Sequence, residues 1–154
     1  IFYINLNEDT ERAEKYKWLS SYKRYPALSR EDVPDYIDKK MISMWNIKRS
    51  KHLGRCACFM SHIALLLHIV KNKLNDVLIL LMTMAYIVPT YEIAEKMLDY
   101  FNKRNRYSAI DIMFNDLPFP KYYQYPACFI EEGAQSTIDP DKKTHSNKYY
   151  ASER

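Results

Sequence analysis

Three observations predict an α/β fold. Phe2, Ile4 and Leu6 alternate with Tyr3, Asn5 and Asn7, the period-two pattern of a strand. Residues 76–80 (DVLIL) form an apolar run of strand length, as in strands covered on both faces of a parallel sheet. Apolar residues then recur at helical spacing at Phe59, Ile63, Leu66 and Val70, and again at Ile93, Ala94, Met97, Leu98 and Phe101. Strands alternating with helices build a mostly parallel sheet flanked by helices.

The remaining elements follow in order. Asn7, Glu8, Asp9 and Thr10 offer capping groups and early acidic charge for a helix through about Leu19. Residues 24–40, with two prolines and dense charge, read as a loop with room for a short helix. The next helix should start near Gly54 and end about Asn72. Its apolar arc also takes in Cys58, His62, Leu65 and Ile69, so burial on more than one side is expected. Residues 83–88 read as a second buried strand, and Pro89-Thr90 opens the following helix. Residues 110–114 continue it as helix or short strand. A single domain over 1–138 is expected, with a polar tail over 139–154.

One stretch fits no simple plan. A single strand over 76–88 exceeds the usual ~3–10 residues. Two parallel strands there would need a crossover of about a dozen residues, which is absent. A segment near residues 80–83 is therefore expected to be missing.

Composition narrows the chemistry. With 154 residues, 47% hydrophobic and 27% charged, the chain is one ordinary globular domain. The net charge of +4 helps anion binding without demanding nucleic acid. Two glycines, Gly54 and Gly133, exclude both a GxxxxGKS/T phosphate loop and a GxGxxG turn. Cys56, Cys58 and Cys128 are too few for a disulfide scaffold, and Cys56-x-Cys58 inside a helix does not match a zinc knuckle. They read as buried thiols. The apolar run over 77–88 falls short of the ~18–20 residues of a membrane span. No signal-peptide pattern opens the chain, and its start inside a strand pattern suggests a trimmed N-terminus.

Several segments, in order, resemble the family-25 glycosyltransferases, which include lipooligosaccharide and collagen hydroxylysine galactosyltransferases. Tyr3-Ile4-Asn5-Leu6-Asn7 with Arg12 is similar to the family's YVINLDR…R start, and Arg24-Tyr25-Pro26-Ala27 to its RFPA step. The stretch from Gly54 through Cys58, Ser61 and His62 to Leu65 resembles its G-x-x-G-C-x-x-S-H-x-x-x-W pattern. Residues 83–88 resemble its GTHAYLIS strand, Ala109-Ile110-Asp111 its PVD, and residues 125–138 its closing P-P-x-F…Q…S-D-I. The family's acidic EDD should follow Leu80, where Leu81-Met82 stands instead. Several tens of residues are missing there by that comparison, which points to an omitted segment more than to a dead remnant.

The resemblance implies a GT-A-like domain that moves a hexose, galactose or glucose, from a UDP-sugar donor to a glycan or hydroxylated protein acceptor. It also implies Mn²⁺ or Mg²⁺, since a divalent cation neutralises the leaving diphosphate. No metal ligand is assigned: Asp139-Pro140-Asp141 matches Asp-x-Asp but sits in the tail and reads as a turn. Asn5, Leu6 and Arg12 lie at and beyond the end of the first strand, where open α/β sheets bind ligands. The resemblance gives them a nucleotide-sugar role; the plainer reading is a capping Asn and a solvated Arg. Ser61 and His62 share that implied role, against a hydrogen-bonded core histidine. Asp111, between Ile110 and Ile112, would be an unusual buried carboxylate unless it faces a site; it is the candidate catalytic base or acceptor contact, against a helix cap. Gln135 and Ser136 suit a sugar groove or a surface loop, and Tyr122, Tyr123 and Tyr125 a sugar face or core.

Two other functions stay open: an inactive relative used for binding or assembly, and a small basic nucleic-acid-binding domain. No nucleic-acid partner and no transmembrane segment are expected, and homo-oligomerisation is left open. A cytoplasmic or virion-associated location is expected more than secretion.

Overall fold

The computed structural model describes residues 1–10, 14, 22–42, 48–81 and 84–120. The chain divides into two compact units, Ile1–Leu117 and Pro118–Arg154, and the description below concerns the first. The border expected at residue 138 lies outside the described residues, as does most of the helix expected through Leu19.

The elements are β1 (Phe2–Asn5), β2 (Lys23–Pro26), α1 (Asp35–Lys40), α2 (Arg49–Lys71), β3 (Val77–Leu81), β4 (Met84–Val88), α3 (Tyr91–Asn102) and α4 (Ile110–Asn115). The class is α/β: a mixed four-stranded sheet in the order β2-β1-β3-β4, with helices. β1 pairs in parallel with both β2 and β3. β4 runs antiparallel to β3, with Leu81 opposite Met84 and Val77 opposite Val88.

That last pairing corrects two expectations. Residues 83–88 do not supply a further parallel strand, so no crossover is needed. The chain reverses with two residues between Leu81 and Met84, the commonest hairpin length. The geometric ground for a missing segment near residues 80–83 is thereby removed; residues 82–83 themselves lie outside the described residues. β3 is also covered less completely than its apolar run predicts. Val77 and Ile79 are buried, whereas Leu78 and Leu80 are half-buried and Ile87 on β4 is 64% exposed. Residues 24–26, read as loop, are strand instead, because Lys23–Pro26 completes the edge beside β1.

α2 begins five residues earlier than Gly54 predicted, at Arg49, and its buried residues do fall on a broad arc. Cys56, Leu65, Leu66, Ile69 and His62 are fully enclosed. It is the described helix long and apolar enough to cross a bilayer, by length and composition, and half of that apolar stretch is buried within this fold. Phe59, 2% exposed, stacks on Tyr107 at 4.6 Å and meets Phe101 edge-on at 6.0 Å. A side chain of that size contributes about 1.5–3 kcal/mol by leaving water. α3 is capped by Thr90, whose side chain accepts from the Ile93 N–H, and buries Ala94, Met97 and Phe101 at helical spacing. α4 is a separate short helix, not a continuation of α3. Between them Tyr107 bridges to Met41 and so ties the end of α1 to this layer.

The C-terminus of α2 sets up a stability prediction. The Leu74 N–H reaches Ile69 O at 3.0 Å and the Lys73 N–H reaches Val70 O at 3.1 Å, the two bonds of a Schellman cap. The left-handed residue this cap requires is Lys73, at φ 49°, where glycine is the usual occupant. Lys73→Gly is expected to stabilise the domain by about 0.5–1 kcal/mol, the relief of a Cβ clash minus the entropy a glycine adds to the unfolded chain. Urea unfolding checks this as a raised midpoint at unchanged slope.

Candidate functional site

Strand order marks where a ligand would be expected to sit. From β1 the chain passes to β2 on one side and later to β3 on the other, so the direction of winding reverses between β1 and β3. In open α/β sheets, ligands bind outside the strand carboxyl ends at such a reversal. Asn5 closes β1 there and is 1% exposed. Its Nδ2 donates to Asp9 O at 3.0 Å and Leu6 O at 3.2 Å, which shapes the turn leaving the strand. Its backbone carbonyl accepts from the Ala27 N–H at 2.9 Å, so the turns after β1 and β2 are held together. The Oδ1 of Asn5 is buried without a hydrogen-bond partner. A buried acceptor left unpaired costs roughly 1–3 kcal/mol, and a ligand donor would remove that cost.

Leu6 follows, half-buried, and the exposed Asn7 Oδ1 accepts from the Arg24 guanidinium. Arg24 is thus held to the turn that leaves β1, a contact the sequence alone had not assigned. Arg12, Gln135 and Ser136, with Tyr122, Tyr123, Tyr125, Asp139 and Asp141, lie outside the described residues.

Ser61 and His62, adjacent in sequence, face different neighbours. Ser61 Oγ donates to Ala57 O at 2.8 Å and accepts from the Leu28 N–H at 2.9 Å. With Tyr25, whose hydroxyl donates to Ala64 O at 3.0 Å, it fastens the turn after β2 to α2. His62 faces β4: its Nδ1 lies 2.7 Å from the Tyr86 hydroxyl, and its Nε2 has no partner. Phe114 of α4 closes over both rings, 5.8 Å from His62 and 4.6 Å from Tyr86. His62 is wholly buried, and that burial pushes its pKa down to about 3. The Tyr86 residue is half-buried, but its hydroxyl end is desolvated and its pKa is driven well above the phenol range. Burial, then the charge of Asp111, pushes the Cys58 thiol up to about 11. All three groups are neutral at pH 7, so none is poised to exchange protons there. Ser61 and His62 stand as core anchors.

Asp111 corrects the burial argument made for it. It is exposed, in the first turn of α4, while Ile110, Met113 and Phe114 are the residues that α4 buries. Ile112 is exposed as well, because residues 111 and 112 sit on the outer side of a short helix. The carboxylate is accessible to an acceptor, and its charge reaches Cys58 on α2.

Comparison with family models, with curated proteins and with solved structures found no match to this chain.

The divalent cation expected from the sequence resemblance, Mn²⁺ or Mg²⁺, needs a matching set of donors. Mg²⁺ and Mn²⁺ take oxygen donors. Among the described residues the one group of three metal-ligating side chains joins Asp38, His52 and Cys56, while Glu8 and Asp9 are the adjacent carboxylates that follow β1. One carboxylate with an imidazole and a thiol does not fit a hard cation. A separate cavity of about 430 Å³, lined by Lys103, Arg104, Arg106, Ser108 and Asp116, opens in the α3–α4 connection. Its charges are largely matched, Lys103 by Asp99 and Arg104 by Asp116.

Proposed function

We propose that this domain binds a UDP-sugar beyond the carboxyl ends of β1 and β3 and transfers its hexose, galactose or glucose, to a hydroxyl of a glycan or hydroxylated protein. The observation that supports the reading best is the winding reversal at β1 with a buried Asn5 whose Oδ1 lacks a partner. Such an acceptor suits an N–H or hydroxyl of a nucleoside. In the transfer, the bond from the anomeric carbon to the diphosphate breaks and a bond to the acceptor oxygen forms. The acceptor proton goes to a base, for which the accessible Asp111 is the candidate. Arg24, held to the turn that leaves β1, offers positive charge to the departing diphosphate. No step is assigned to a metal ion, because the one three-donor cluster among the described residues, Asp38, His52 and Cys56, does not suit Mn²⁺ or Mg²⁺.

Titration calorimetry with UDP, then UDP-galactose and UDP-glucose, is the direct test. Saturable binding is expected, weakened about tenfold in Arg24→Ala by loss of one charge-assisted contact. UDP release on adding acceptor would accompany transfer. Absence of any UDP heat, with or without Mn²⁺, overturns the reading. A second reading, a sugar-nucleotide-binding module without transfer, is favoured by the absence, among the described residues, of a three-donor metal cluster beside the end of β1. Tight UDP binding with no product would select it.

A further inference from the structure

We propose that Asp38, His52 and Cys56 form a binding site for a thiophilic divalent cation of the zinc class, clasping α1 to α2. His52 and Cys56 are four residues apart on α2, so their side chains rise from the same helical face one turn apart. Asp38 comes from α1, and one ligand atom from each of the three lies within 4.8 Å of the others. A tetrahedral zinc site with bonds of about 2.0–2.3 Å sets its ligands roughly 3.5 Å apart, a closure that side-chain rotation supplies. The donor set of imidazole nitrogen, thiolate and carboxylate is one that Zn²⁺ takes and Mg²⁺ does not.

Further observations point to an occupant. His52 is 5% exposed, and its Nδ1 has no hydrogen-bond partner, an unusual state for a buried imidazole. Its Nε2 lies 2.9 Å from Asp38 Oδ1, so ring and carboxylate already converge. Arg49 currently supplies the charge that Asp38 needs: its Nη1 and Nη2 donate to the two carboxylate oxygens at 2.6 and 2.5 Å. The Arg49 side chain is 65% exposed and can swing into solvent when a cation takes its place. Cys56 is fully buried, its side chain a thiol until a cation is bound. Binding therefore forms one metal–sulfur bond and releases the Cys56 proton to solvent, giving a neutral set of M²⁺, thiolate and carboxylate. Water completes the fourth position. This site shares no residue with the proposed sugar-nucleotide site and does not depend on that reading.

The test uses the reduced, chelator-stripped full chain titrated with Co²⁺. One equivalent is expected to give a thiolate-to-cobalt charge-transfer band in the near-ultraviolet and the visible bands of a four-coordinate ion. One equivalent of Zn²⁺ should abolish both, and millimolar Mg²⁺ neither. Cys56→Ser should remove the charge-transfer band, while the Cys58→Ser/Cys128→Ser double variant keeps it. His52→Ala should weaken binding by roughly 100-fold. Arg49→Gln, which leaves the buried ligands intact and frees the carboxylate, should tighten it severalfold, and this variant decides the matter if Cys56→Ser fails to fold. The proposal is overturned by absence of the charge-transfer band in both the parent chain and Arg49→Gln, or by a band lost in the Cys58→Ser/Cys128→Ser variant.

Discussion

Lowering the pH from 7 to 5 is expected to cost this domain about 2 kcal/mol through His62 alone. The folded protein holds that ring neutral, with burial pushing its pKa down to about 3, whereas the unfolded chain titrates near 6.5. For a base with a depressed folded pKa, the unfolded state takes up the proton first. Its stabilising effect is complete above about pH 6.5 and is lost, at about 1.4 kcal/mol per unit, as pH falls toward 3. Hydrogen bonding from Arg49 holds the Asp38 carboxyl below the usual carboxylate range, outside the window from 7 to 5, which belongs to histidine. The comparison that isolates His62 is the double variant His62→Leu/Tyr86→Phe, which removes both members of the 2.7 Å hydrogen bond together. Its urea midpoint should change less between pH 7 and 5 than that of the parent, since His52 and His68 remain in both proteins. Tyr86→Phe alone leaves both ring nitrogens of a fully enclosed imidazole unpaired, and should cost about 1–3 kcal/mol at pH 7. An unaltered pH slope in the double variant would refute this assignment.

How far the sequence disclosed this architecture depends on whether the governing interaction is local. The period of β1, the arc of α2 and the Thr90 cap of α3 are short-range patterns, and each was legible. The hairpin was not. Met82-Thr83 contains neither glycine nor asparagine, the residues that usually announce a tight reversal, and its flanks are apolar on both sides. Only the pairing of Leu81 with Met84 settles the direction, and pairing is a tertiary fact. Asp111 misled for a related reason. Isoleucines on either side suggest burial, yet in a helix neighbouring residues point about 100° apart, and only Ile110 of the two turns inward. At the candidate site, the place of Asn5 at the end of β1 was legible from alternation alone. Its unpaired Oδ1 and the Arg24–Asn7 contact were not, because they depend on β2 lying beside β1. His52 and Cys56 could have been noticed by their spacing of four, but nothing local brings Asp38 of α1 to them.

Asn5→Asp should be among the most damaging single-atom exchanges in the domain, with a pH dependence opposite to that of His62. The amide nitrogen of Asn5 donates to two backbone carbonyls, Leu6 O at 3.2 Å and Asp9 O at 3.0 Å, in a setting that is 1% exposed. Aspartate puts an acceptor where those carbonyls require a donor. An ionised carboxylate there is both desolvated and repelled, at a cost on the order of 3–5 kcal/mol near pH 7. A protonated carboxyl restores one of the two donations. The folded state therefore favours protonation and raises the pKa of the new acid above its unfolded value. For an acid shifted upward, the penalty is small below the unfolded pKa near 4 and grows as pH rises. The quantity to measure is the stability gap between Asn5→Asp and the parent, by urea unfolding at pH 4.5 and 7.5. That gap should be wider by at least about 1.4 kcal/mol at the higher pH. Asn5→Ala, which loses the donations without adding charge, should cost about 1–3 kcal/mol at either pH. A gap for Asn5→Asp that is small and equal at both values would mean that the side chain reaches water. The buried acceptor on which the proposed nucleotide site relies would then be absent.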